Sequence, residues 1–107
     1  MPTYTSPPSE TIVITAENGT WEFAITHRGC DFFAAILTNK SAVPMGGAWK
    51  MILRNQGRNA TTGQVSFYCD TAFPNGGTAT CRPLISTNYG CLDADSVVVE
   101  GPPMGMH

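Results

Sequence analysis

The stretch TIVITAENGTWEFAITHR, residues 11–28, decides how the rest of this chain is read. Two apolar runs, Thr11 to Ala16 and Thr20 to Ile25, flank Asn18-Gly19, the dipeptide best suited to the positive φ angles of a tight hairpin turn. On the second run Trp21, Phe23 and Ile25 share one face and Glu22, Ala24 and Thr26 the other, which is the two-residue period of a strand. An apolar face of this kind must be covered.

Working outward, three segments offer cover with strand character. Ala48 to Asn55 turns Trp49, Met51 and Leu53 to one side and Lys50 and Arg54 to the other; Gln64 to Cys69 groups Val65, Phe67 and Cys69; Ala94 to Glu100 carries Val97, Val98 and Val99. Asp31 to Thr38 is apolar on both faces and reads as a buried strand, with Ala34-Ala35 leaving a short helix as the alternative. Thr78 to Ile85 is the strand returning from the loop DTAFPNGG. Polar, Pro- or Gly-marked connections fall at Asn39 to Gly47, residues 56–63 and Ser86 to Asp93. Seven short strands without an amphipathic helix or a repeat predict an all-β fold, a single antiparallel β-sandwich over residues 11–100. Its expected core is Trp21, Phe23, Ile25, Trp49, Met51, Leu53, Val65, Phe67, Val97 and Val99. Residues 1–10 and 101–107 read as extended Pro-rich arms, because Pro2, Pro7 and Pro8 at one end and Pro102 and Pro103 at the other oppose regular hydrogen bonding.

Four cysteines, Cys30, Cys69, Cys81 and Cys91, lack the C-x-x-C spacing of a zinc knuckle or a redox motif, so disulfides and an oxidising compartment are expected. The favoured pairing is Cys30–Cys69 with Cys81–Cys91, one bridge across a long loop and one pinning a turn; Cys69–Cys81 across a hairpin is the rival. The order Cys30, Trp49, Cys69 resembles an immunoglobulin domain, with Phe67 where that pattern has a tyrosine and Cys30 at a strand edge, and no family is assigned from it. Three sequons, at Asn18, Asn39 and Asn59, lean towards a secreted eukaryotic protein. The opening MPTYTSPPSE has neither a basic region nor an apolar core, so it does not read as a signal peptide; a mature N-terminus and a virion component made without a signal both fit. No stretch reaches the length of a membrane span.

Charged residues make up 13% of the 107 residues, about half the usual quarter, and the net charge is −2. Such a surface repels copies of itself weakly and gives no argument for nucleic acid. The charges fall in blocks: Glu10, Glu17, Glu22 and Asp31 against Arg28, then Lys40, Lys50, Arg54 and Arg58 with no acid, then Asp70, Asp93, Asp95 and Glu100 against Arg82. Chance produces this easily in so few charges; complementary patches that steer subunits are the functional reading.

Candidate chemistry is sparse. Glu22, His27, Arg28 and Asp31 are acid–base types close in sequence, but Glu22 and His27 have opposite parity, so a polar cluster at a hairpin end is the plainer reading. Asp93 and Asp95, with Asp70, offer oxygen ligands without the spacing of a calcium loop. Met104, Met106 and His107 are soft-metal types on an arm, and no cofactor motif is present. Lys50, Arg54 and Arg58 form a candidate anion patch, or an ordinary solvated sheet face. Tyr68, Phe73 and Tyr89 form a candidate stacking surface for sugars, or scattered surface aromatics.

Together these readings favour a non-enzymatic module, extracellular or on a virion surface, that self-assembles or decorates a larger particle through its arms. A secreted carbohydrate-binding module is the alternative, and a small secreted hydrolase or ribonuclease comes third.

Overall fold

The computed structural model describes residues 9–87 and 91–102, with the backbone alone for residues 85–87. The strands in chain order are β1 (Glu10–Thr15), β2 (Trp21–Arg28), β3 (Asp31–Asn39), β4 (Met45–Asn55), β5 (Ala60–Ala72), β6 (Gly77–Thr87) and β7 (Ser96–Glu100). A 3₁₀ turn over Cys91–Asp93 precedes the last. All six pairings are antiparallel, in the order β1-β2-β3-β6-β5-β4-β7.

The expected all-β, seven-stranded, disulfide-linked architecture is therefore present, as one continuous sheet rolled nearly into a barrel. Pairing of β3 with β6 joins what a sandwich would keep as two separate sheets. β-bulges at Thr26/His27, Met45/Gly47, Leu53/Arg54 and Ser66/Phe67 supply the extra twist that curls it.

The first hairpin forms where Asn18-Gly19 places it, with a different turn. Ala16 N donates to Trp21 O and Gly19 N to Ala16 O, so the loop spans four residues instead of two. Gly19 alone takes positive φ (74°), while the Asn18 carboxamide oxygen accepts from Thr20 N and Oγ1. The Gly46-Gly47 pair corrects a second expectation. It lies inside β4 at a bulge, with Gly47 at φ 87°, so the connection runs only from Lys40 to Pro44. Asp31 to Thr38 is a strand, but not one buried on both faces: Phe33 (39% exposed) and Ile36 (45%) point outward.

The rolled sheet encloses Phe23, Ile25, Trp49, Met51, Leu53, Val65, Phe67 and Val99, as the alternation predicts; Trp21 and Val97 pack against them half-buried. Phe32, Ala35, Leu37, Met45, Ala72 and Ala79 join this core. Trp49 stacks on Phe23 at 5.4 Å between ring centroids and meets the edge of Trp21 at 5.0 Å, and Phe67 sets its edge on Phe23 at 5.6 Å. No helix among the described residues is long and apolar enough to cross a membrane.

Candidate functional site

The cysteines pair as Cys30–Cys91 and Cys69–Cys81, which overturns the favoured pairing and keeps the rival. Sequence distance was the wrong criterion. Cys69 and Cys81 face one another across β5 and β6, with Cα atoms 4.0 Å apart. Cys30, in the β2–β3 turn, is joined across 61 residues to the 3₁₀ turn that leads into β7. With Cys30 and Cys69 in different bridges, the immunoglobulin likeness loses its inter-sheet bond.

The acid–base types near the first hairpin are not brought together. Glu22 pairs with Lys40 at 3.3 Å at the loop end of β2. At the other end His27 Nδ1 is 2.8 Å from Gly29 O and its Nε2 is 3.7 Å from Glu10, while Arg28 donates to Ser9 Oγ and lies over the Phe33 ring. The three aspartates are also apart. Asp70 lies 3.8 Å from Arg82, Asp93 lies 3.7 Å from Arg58, and Asp95 accepts from Gln56 N. Asp93 and Asp95 dock the approach to β7 onto the β4–β5 turn: Asn55 Nδ2 donates to Asp93 O, and Asp95 N donates to Arg54 O. Among the described residues no three His, Cys, Asp or Glu side chains gather closely enough to hold a metal.

Of the anion patch, Lys50 and Arg54 do share the outer face of β4, but Arg58 is engaged by Asp93 and Arg54 donates to Asn59 Oδ1. Lys50 lies opposite Glu100 across the β4–β7 ladder. Two of the four cations in the middle charge block, Lys40 and Arg58, thus meet acids of the flanking blocks within one molecule. Tyr68 is 42% exposed, with the Arg82 guanidinium 5.2 Å from its ring centre and Ala48 beside it on β4. Phe73 is exposed in the β5–β6 turn, away from Tyr68 along the strand. Tyr89, the soft-metal types Met104, Met106 and His107, and residues 1–8 of the first arm lie outside the described residues.

The most distinctive feature follows from the strand count. Six antiparallel pairings in succession leave the two edges, β1 and β7, running in the same direction. An all-antiparallel sheet of seven strands cannot close on itself without one parallel ladder. Here the edges border two cavities along one slot. A cavity of about 530 Å³ lies between Ile14, Thr15 and Trp21 on one side and Val97, Val98 and Val99 on the other. Another of about 240 Å³ lies between Ile12 and His27 on one side and Ser96 and Val97 on the other, with Cys91 at its margin. Lower residues of β1 face lower residues of β7, as parallel edges require. The Cys30–Cys91 bridge ties the two sides together at this lower end.

Nothing in the periodicity announced the slot, because which strands become edges depends on pairing order. The chain matches no known family model, curated protein or solved structure.

Proposed function

We propose that this chain is a non-enzymatic structural module that assembles with further copies of itself, in a setting such as a virion coat, decoration or fibre. One observation carries the reading: two β-forming edge strands that are both unprotected. Proteins usually guard a sheet edge with lysine, proline, a bulge or a covering segment. The interiors of β1 (ETIVIT) and β7 (SVVVE) contain no charge or proline, and neither of their ladders carries a bulge. Val13 (55% exposed) and Val98 (41%) face outward from these strands. The low overall charge supports the same reading, since it leaves little repulsion between copies. Two disulfides are compatible with an extracellular or particle-surface location.

Sedimentation velocity of the full chain across concentration tests the reading. A reversible or stable oligomer is expected, and a monomer at every concentration would reject it.

The second reading, glycan binding, has its own support. Exposed Tyr68 is flanked by Arg82, and the neighbouring strand borders a shallow hollow of about 370 Å³ lined by Ala48, Lys50, Glu100, Gly101 and Pro102. A glycan-array signal abolished by Tyr68→Ala would favour it.

A further inference from the structure

We propose that the slot between β1 and β7 receives the N-terminal arm of a second copy, residues 1–8, as an extended strand antiparallel to both edges. This rests on the assembly reading and names the surface through which assembly occurs. The first argument is topological. An eighth strand running opposite to β1 and β7 pairs antiparallel with each, so it closes the sheet that seven strands leave open. Backbone groups on both edges then gain partners, and the side chains bordering the slot lose contact with water.

Length and chemistry point to the arm. The slot runs along Ile12 to Thr15 on one side and Ser96 to Val99 on the other, four residues each. In MPTYTSPP, Thr3-Tyr4-Thr5-Ser6 is a four-residue run of strand-compatible residues bracketed by Pro2 and Pro7. The run is uncharged, matching a slot bordered by Ile12, Ile14, Trp21 and Val97. Alternation sends Tyr4 to the face opposite Thr3 and Thr5, so one aromatic ring can enter the cavity beside Trp21.

The prolines and Arg28 favour a second copy over the arm's own molecule. Ser6 and Pro7 each precede a proline, which keeps both out of the helical region and opposes a tight reversal there. Ser9 accepts a hydrogen bond from Arg28 of β2 (3.1 Å), so the chain reaches β1 from the side away from β7. Folding back into its own slot would require the reversal the prolines oppose. A neighbour's slot requires none, and a pre-extended segment loses less entropy on docking.

The test uses the full chain with the photo-crosslinking amino acid p-benzoylphenylalanine at position 4, mixed as ¹⁴N- and ¹⁵N-labelled copies, irradiated and mapped by mass spectrometry. Mixed-isotope crosslinks from position 4 to peptides containing Ile14 or Val97 are expected. Thr5→Pro, which alters no described residue, should weaken self-association about tenfold through one lost ladder hydrogen bond. Crosslinks to the slot only within one isotope would show that the arm fills its own slot, which overturns the proposal. An oligomer unaffected by Thr5→Pro and without slot crosslinks would also overturn it while leaving the assembly reading intact. A monomer at every concentration would overturn both.

Discussion

Asn39 is the one polar side chain buried completely, and its amide is fully used. Nδ2 donates to Val43 O (2.7 Å) and Ala72 O (2.9 Å), while Oδ1 accepts from Ser41 N (2.9 Å) and Ser41 Oγ (2.7 Å). One side chain thereby shapes the β3–β4 connection and ties it to the end of β5. Its sequon cannot be reached in the folded protein, whereas Asn18 and Asn59 are exposed. Asn39→Ala leaves the Val43 and Ala72 carbonyls without this donor, and should cost about 2–4 kcal/mol in urea unfolding, the scale of one or two abandoned buried groups. Gly77 is constrained differently: a Cβ there would collide with the Phe73 backbone. Gly77→Ala should therefore destabilise by about 1–3 kcal/mol, read as a shifted denaturation midpoint. Phe23→Ala and Phe67→Ala should each lose about 3–5 kcal/mol by the same measurement, since both rings are buried in one aromatic cluster.

At the scale of elements, the two disulfides do unequal work. Cys69–Cys81 closes 12 residues across adjacent strands, and Cys30–Cys91 closes 61. On the chain-entropy account, removing the longer link costs about 4 kcal/mol and the shorter about 3. Unfolding of the paired-serine variants Cys30→Ser/Cys91→Ser and Cys69→Ser/Cys81→Ser should show that order. Cys30–Cys91 also braces the lower end of the slot, so its removal should change Trp21 fluorescence in the native state. Trp21 borders the slot, while Cys69–Cys81 lies in the body of the sheet. The approach to β7 is fixed by Asp93, Asp95 and Asn55, which explains why LDAD carries two carboxylates with no metal role: one meets Arg58 and the other holds Gln56 N.

For the whole molecule, an odd number of antiparallel strands has consequences that no single strand carries. Both edges remain open, and both consist of residues that pair readily. Val13→Lys and Val98→Lys place charges on outward-facing edge positions without touching the core. Melting should change little, as at other surface sites, while the sedimentation coefficient at high concentration should fall towards that of a monomer. Unchanged association would show that copies meet on another face.

Local patterning was enough to establish which segments are strands and which side chains point inward. Trp21-Phe23-Ile25, Trp49-Met51-Leu53 and Val65-Phe67 alternate so regularly that one register satisfies them, and a slip by one residue would expose every ring. Turn chemistry placed the first hairpin at Asn18-Gly19, since few residues tolerate the φ a turn needs, though its loop length came from hydrogen bonds the sequence does not display. Pairing order was beyond any local signal, because it depends on how the whole sheet rolls. That roll set Cys69 opposite Cys81, carried Cys30 to Cys91, turned Phe33 and Ile36 outward, and separated the carboxylates and cations that lie close together in the sequence. The slot between β1 and β7 belongs to the same class: each edge is written in its own residues, but their meeting is a property of seven strands curling round one core.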